Sequence, residues 1–574
     1  MFLDKRDKNG QLLSFEAFSL SEEIAEIGVQ EFTKSLVYKE LKNIFPENLT
    51  ILLFKKLIYE KVFKTSSKVV ISNFNNKKII NTDLYSINLF RKKKDLSNFT
   101  FVENKENIFS LTNLNKKIRD YLWINYTKIC YIRNLINLFF SFYENTKNKN
   151  IKIAVNFLDG LDLKERSDFF WYNKDILSNK VLTYFENNSR ITNKYYRNDK
   201  KKIKSKLKSL NIEFKYLYSL GCFLKNHELD QLREKIINLK VSEEEIFLKY
   251  NALIFISKIQ FTLNFFKINN IKIHQNTEEM GTGNILRQIA IKLNGGCSFG
   301  RTKSYPTNIK GDFIGFAPND IFFTWGKETA KRIAKTENCI NHIVITGDPY
   351  PAISPEKNLM ILEKIEKLKK TGINFFILVL DSSYSDNKGL TWQITYTKKM
   401  EIFLEKILDF QKNNPEVGLI IKSKKKDSLK KLTKIFERIK KLEIENKCIF
   451  VNNNNDLASH YSKFADFTLS LSAHIQGALF QCLINSKKFK GILYDDSNLS
   501  IVEKEIYKSG ENKVIFNDID KMIDEVKKYK NGSNYDPDLG KWNPEPHDPF
   551  CDGLGGKRIG LFLNSLIDCY EKGL

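Results

Sequence analysis

DLASHYSKFADFTLSLSAHIQGALFQCL, residues Asp456 to Leu483, changes its hydrophobic period halfway along. Phe464 to Leu471 predicts a short strand, and Ile475 to Ile484 predicts a helix. Between them stand the small polar residues Ser470, Ser472 and Ala473. A strand that turns into a helix through serines offers hydroxyls and unpaired backbone N–H groups at the positive end of the helix, where a phosphate is well held. Many such turns only cap their helix, so the neighbours of this one matter. The nearest is Val417 to Lys422, VGLIIK, a β-branched run that ends on a charge. It reads as a buried parallel strand with Lys422 at the mouth of a crevice.

Working outward, the preceding segments alternate in the same way. Helix Glu356 to Lys370, strand Phe375 to Leu380, helix Thr397 to Lys412, helix Ser428 to Leu442 and strand Cys448 to Val451 are expected around VGLIIK. Gly491 to Tyr494 follows as a strand, and a helix from Lys557 to Tyr570 closes the chain. A second series lies earlier: strands Ile151 to Phe157, Val181 to Phe185, Ile212 to Tyr216 and Ile271 to His274, then Ile321 to Trp325 and Ile343 to Thr346. Helices are expected over Glu228 to Lys240, Glu243 to Asn264 and Asn284 to Leu293. Alternation of this kind predicts parallel sheets covered by helices. Gly295 to Arg301 reads as a glycine-rich turn that fits neither dinucleotide nor P-loop spacing. Pro351 and Pro355 mark a linker between the two series. Within residues 1–150, Lys68 to Ser72 suggests a strand and Leu114 to Phe142 one or two helices.

The chain has 574 residues, too many for one ordinary core. Its 42% hydrophobic and 13% aromatic content excludes a disordered class. The longest apolar runs, Leu135 to Tyr143 and Leu253 to Phe266, read as too short or interrupted to span a bilayer, and MFLDKRDKNG lacks the apolar centre of a signal peptide, so a cytoplasmic protein is expected. Eight scattered cysteines without a CxxC pair, and six scattered histidines, predict thiols in a reducing compartment and no metal site. Of the net charge of +25, +20 falls in residues 1–350. Such asymmetry fits an anionic partner on one lobe, either a membrane surface or nucleic acid, while solvated lysines alone would also explain it.

Several segments together resemble the GT-B glycosyltransferases, in particular the transferases of bacterial surface-polysaccharide biosynthesis. They are IKIAVNFLDGLDLKERSDFFWY (151–172), FFTWGKETAKRI (322–333), VITGDP (344–349), IIKSK (420–424), ADFTLSLSAHIQGAL (465–479) and DPFCDGLGGKRIGLFLNSLI (548–567). Where related transferases carry Lys-Pro-His or Lys-Pro-Lys, this chain has Lys422-Ser423-Lys424. The resemblance implies an α/β fold of two Rossmann-like parallel-sheet domains facing across a cleft, with an N-terminal extension. Its divisions would be 1–150, as an extension or part of the acceptor domain, 151–350 for the acceptor, 351–555 for the nucleotide sugar, and 556–574 for the C-terminal helix.

On this basis the expected function is transfer of a sugar from a nucleotide-sugar donor to a lipid-linked or surface-polysaccharide acceptor, without a cofactor. Lys422, Ser470, Ser472, His474 and Gln476 are the expected donor-binding residues. Glu278 and Glu279, in the loop after strand 271–274, are the expected general base, with His274 second. Asp159 and Asp162 follow another strand end, and Asp495 or Asp496 is the candidate for the ribose. Peripheral contact of the basic half with an anionic membrane is expected, and nucleic acid is not. Two other classes compete: a nucleic-acid-binding protein, suggested by the charge and the aromatics but lacking a binding motif, and a non-catalytic assembly protein on the same frame.

Overall fold

A computed structural model describes residues 13–75, 78–103, 121, 124–125, 150–157, 168–173, 177, 179–185, 200–217, 225–276, 281–302, 316–349, 355–382, 384, 397–424, 426–453, 456–471, 477–486, 489–495, 510 and 512–573. Apart from residues 121 and 124–125, the expected helices over Leu114 to Phe142 lie outside this set.

The chain opens with α1 (Leu13–Lys34), α2 (Leu36–Leu41), α3 (Glu47–Phe74), β1 (Ile79–Thr82), α4 (Leu84–Arg91) and β2 (Thr100–Glu103). Lys68 to Ser72, expected as a strand, lies inside α3. Its β-branched residues Val69 and Val70 are buried there, so packing overrides their strand preference. The extension is fixed to later parts of the chain by a ring contact of Phe54 with Phe255 at 5.7 Å and of Tyr59 with Phe316 at 5.8 Å. Lys55, buried, pairs with Glu26 and, at 2.8 Å, with Glu337.

The first lobe proper runs β3 (Lys152–Asn156), β4 (Val181–Phe185), α5 (Lys200–Ser209), β5 (Glu213–Tyr216), α6 (His227–Asn238), α7 (Ile246–Ile268), β6 (Ile271–Gln275), α8 (Thr282–Leu293), β7 (Cys297–Arg301), β8 (Phe316–Ala317), β9 (Ile321–Thr324), α9 (Lys327–Ala334), β10 (Glu337–Asn338) and β11 (His342–Ile345). Its main sheet has the order β11-β9-β7-β6-β3-β4-β5, every pair parallel. The stretch expected as a glycine-rich turn supplies β7, and Gly300 is small because the Asn319 amide lies 2.4 Å from where a Cβ would stand. Helix α7 is long and apolar enough to cross a membrane, but 67% of its most apolar window is buried against the rest of the chain.

The second lobe runs α10 (Pro355–Lys369), β12 (Phe375–Leu380), α11 (Thr397–Asn413), β13 (Val417–Lys422), α12 (Thr433–Ile444), β14 (Cys448–Val451), α13 (Ser459–Ser462), β15 (Phe467–Leu471), α14 (Gly477–Asn485), β16 (Gly491–Tyr494), β17 (Ile515–Phe516) and α15 (Ile519–Lys530). Its sheet, also parallel, has the order β14-β13-β12-β15-β16-β17. The two Rossmann-like parallel sheets expected from the sequence are therefore present. Both orders reverse once: between β3 and β6 in the first sheet, and between β12 and β15 in the second. At such a reversal the two outgoing loops diverge and leave a crevice beyond the carboxyl ends of the strands.

One segment joins the carboxyl edges of both sheets. The His547 ring packs on Phe480 of α14 at 4.4 Å, while its backbone lies against Gly326 at the start of α9, 2.4 Å from where a Cβ would be. Glu328 N donates to Pro546 O at 2.9 Å. The final helix, α16 (Gly555–Lys572), then returns to the first sheet. A Cβ on Gly555, Gly556 or Gly560 would stand 2.4–2.5 Å from the carbonyl oxygens of Asp348, Phe170 and Trp171, so only glycine lets α16 seat on that backbone. Asp548 locks the turn before it by accepting from the backbone N–H groups of Asp348, Phe550 and Cys551.

Candidate functional site

Lys422 closes β13, and the apolar run before it explains its position. Val417 to Ile421 is buried on both faces, so the strand persists until the sheet ends and the charge begins. In the ladder, Leu380 pairs with Lys422 on one side and with Ser470 on the other. Partners aligned in this way point to the same face, so Lys422 and Ser470 flank Leu380 about 10 Å apart at the reversal between β12 and β15. Their face is the one covered by α10, α13 and α14, since Leu380, Val451 and Leu493 belong to the core on that side. It is also the face whose helix α14 reaches the first lobe through His547.

Lys422 is buried, and its ammonium donates to Ser423 O at 2.5 Å and to Asn453 O at 2.9 Å. Both acceptors are carbonyls that fix the place of the charge, and the ammonium also acts electrostatically on the nearby Asp381 carboxyl. The Ser470 hydroxyl is buried with no hydrogen-bond partner among the described residues. Ser472, His474 and Gln476 lie outside the described residues, as does Asp496, while Asp495 is buried at the end of β16.

Three groups that the sequence did not single out surround Lys422. Asp381, just past β12, takes hydrogen bonds from the backbone N–H of Lys424 and from the Ser428 hydroxyl at 2.9 Å, which holds the loop after Lys422. Burial pushes its carboxyl up to about 6, against those bonds. Asp456 pairs with Lys357 at 2.6 Å and accepts from Tyr461 at 2.7 Å. Burial would raise this carboxyl, but the bonds from Lys357, Asn453 and Tyr461 outweigh it and bring it down to about 2. His460 is pulled down to about 4, chiefly by burial and then by the nearby Lys357 charge, so it is neutral at pH 7.

In the first lobe the reversal falls between the loops leaving β3 and β6. Glu278 and Glu279 belong to the second of these and Asp159 and Asp162 to the first; all four lie outside the described residues. The flanking backbone is well anchored. Gln275 accepts from Trp171 Nε1 at 2.5 Å and donates to Asp168 O at 3.0 Å, and Asn276 donates to Asn319 at 2.6 Å. Arg301, at the end of β7, lays its guanidinium over the Phe170 ring at 4.1 Å. It escaped notice because its stretch read as a turn.

His274 requires a correction. Its ring faces α7, is fully buried among Tyr184, Phe265 and Phe266, and shares a 2.8 Å hydrogen bond with the Tyr184 hydroxyl. Burial, then the Arg287 charge, holds its pKa well below the usual histidine value. A base must reach the proton it removes, and this side chain has no path out of the core. Asp536 and Asp538 form ion pairs with Lys513, both at 3.7 Å. Among the described residues no group of three or more His, Cys, Asp or Glu is placed to hold a metal ion.

No family model matches the chain, and no curated protein matches it. Among solved structures it is similar to S. aureus MnaA determined with UDP, at 13% identity over 73% of this chain and 97% of that one, with a TM-score of 0.39. It is also similar to Anabaena HepE in complex with UDP and glucose, at 10% identity over 74% and 100%, with a TM-score of 0.37. The wall teichoic acid polymerase TagF is similar at 10% identity over 80% and 99%, with a TM-score of 0.40.

Proposed function

We propose that the chain is a glycosyltransferase that moves a sugar from a nucleotide-sugar donor to a lipid-linked or polysaccharide acceptor of the bacterial cell surface. The observation that carries this is the alignment of Lys422 and Ser470 on one face of the second sheet, at its reversal and beside the inter-lobe contact. A buried cation and a buried hydroxyl flank this reversal, and in this reading the donor phosphate lies against them and the start of α14.

In this reading the bond from the anomeric carbon to the donor phosphate breaks, and a bond to the acceptor oxygen forms. Lys422 and the α14 N-terminus stabilise the departing phosphate, as fixed positive groups do at a site closed to water. Glu278 or Glu279, in the loop leaving β6, takes the acceptor proton. Ser472, His474 and Gln476 complete the donor side. The second lobe holds the donor, the first lobe the acceptor, and the basic first 350 residues favour an anionic membrane surface on the cytoplasmic side.

A thermal-shift screen against UDP-, GDP-, CMP- and CDP-linked sugars tests this. A donor present at about 100 times its Kd stabilises the folded chain by about 2.7 kcal/mol. Absence of any shift across the four classes would sink the assignment.

A further inference from the structure

Lys422 is held by a carbonyl that is itself held. Asn453 supplies that carbonyl, and its side chain is locked to Asp456 in both directions: Nδ2 donates to Asp456 Oδ2 at 3.0 Å, and Asp456 N donates to Asn453 Oδ1 at 2.8 Å. Asp456 is in turn fixed by Tyr461 and by Lys357, which stands in the first turn of α10. The neighbouring Asn452 and Asp427 exchange two further bonds, at 2.7 and 2.8 Å, tying the loop after β14 to the loop after β13. We propose that Lys357 and Asp456 are positioning residues for the Lys422 ammonium, acting through the Asn453 carbonyl.

The chemistry supports the assignment. A lysine side chain is a flexible stem with a point charge at its end, and ordering it costs conformational entropy. A site that must meet a phosphate gains if that entropy is already spent. A carbonyl borne on a mobile loop would not fix the ammonium, whereas one braced by an ion pair between two separate elements does. Lys357 also has a second effect, because α10 begins the second lobe directly after the linker. The brace therefore joins the start of that lobe to the group that meets the donor.

This inference rests on the donor-site reading above, and the test separates the two. Nucleotide affinity is measured with UDP, CDP, GDP and CMP, using whichever binds the wild-type chain most tightly; binding of none overturns both. Lys357→Met and Asp456→Asn are each expected to weaken the Kd about tenfold, while Lys357→Arg retains most of the affinity. In a Lys422→Met background, read by ligand-observed NMR at millimolar nucleotide, the same two substitutions should cause little further loss, since both act through the missing ammonium. A Lys422→Met chain that binds as the wild type does refutes the donor site and the brace together. If Lys422→Met weakens binding but Asp456→Asn and Lys357→Met do not, or if their losses multiply with that of Lys422→Met, the brace alone is overturned. Should Asp456→Asn fail to fold, Lys357→Met and Tyr461→Phe carry the same cycle.

Discussion

Replacing Lys422 by methionine removes one charge and leaves nearly everything else in place. The side chain is 8% exposed, and its stem shares a face with Leu380 and Val451, where an unbranched thioether of similar length fills the same space. An ammonium about 4 Å from a phosphate oxygen contributes about 4 kcal/mol per unit charge at an effective dielectric constant of about 20. Desolvation offsets part of this, and hydrogen bonds to charged groups retain about 1.5–3 kcal/mol net. The expected loss is therefore about 2 kcal/mol, or about 30-fold in Kd. A separate cost falls on the fold, because Ser423 O and Asn453 O lose a donor, at about 1 kcal/mol each. The two costs appear in different measurements: the first in calorimetric titration with the nucleotide that the thermal-shift screen selects, the second in the unfolding temperature without ligand. A folded Lys422→Met chain whose Kd stays within about twofold of wild type would refute the reasoning, because no fixed charge of this kind sits beside a diphosphate for so small an effect.

Other consequences are as direct. Gly560→Ala places a Cβ 2.4 Å from Trp171 O, so α16 must lift from the first sheet; a cost of about 1–3 kcal/mol is expected, and an unchanged unfolding temperature would contradict the close seating. Because burial raises the Asp381 carboxyl to about 6, the folded chain binds this proton more tightly than the unfolded chain between pH 4 and 6, and stability falls as pH rises through that window. Asp381→Asn should remove up to about 3 kcal/mol of that slope between pH 4 and 7, and urea titrations with parallel pH profiles for the two chains would rule it out. Lys55→Met leaves Glu26 and Glu337 without their shared cation and should cost about 1 kcal/mol, given that both carboxylates are partly exposed. In a Glu26→Gln, Glu337→Gln background the same substitution should cost much less, and an equal cost in both backgrounds in thermal unfolding would mean that the ion pairs contribute nothing.

The strands were legible because parallel strands buried on both faces have to be continuous apolar runs: VGLIIK, FFILVL and GILY stand where they were read. Errors arose where packing overrides local preference. KVVIS is helical because α1 covers that side of α3, and CSFGR is a strand because Gly300 makes room for Asn319. Strand β17 has two residues and no pattern to read. Lys422 and Ser470 could be picked out as ends of apolar runs, but not their alignment, which depends on β12 lying between them. Asp456 sits in the very stretch that decided the fold, yet its role is set by Lys357 in another element. The segments that carried the family resemblance also divide on inspection. IIKSK and ADFTLSLS end at the proposed phosphate site, whereas DPFCDGLGGKRIG and FFTWGKE form the clasp of Asp548, Gly326 and the α16 glycines, where close fit of backbone on backbone restricts the residues allowed.

The length of α7 accounts for the extension before the first sheet. Its 23 residues rise about 34 Å, whereas the five residues of β6 span about 17 Å. Helix and strand are joined by a tight turn at Asn269 and Asn270, the latter with a positive φ of 49°, so α7 runs back along the strand and about half of it overhangs the carboxyl edge of the sheet. An overhang this apolar needs a cover, to which residues 13–103 contribute: Phe54 meets Phe255, and the Tyr85 ring of α4 lies tilted against Phe247 near the far end, 4.6 Å between centroids. From the other side Arg233 of α6 donates to Ser257. The cover therefore lies on the side of the first sheet where its strands end, the side of the crevice, and the basic residues of α3 and α4 come with it. A cut at residue 150 would divide the sequence at a change of pattern but would remove the ring contacts of Phe54 and Tyr85 with α7.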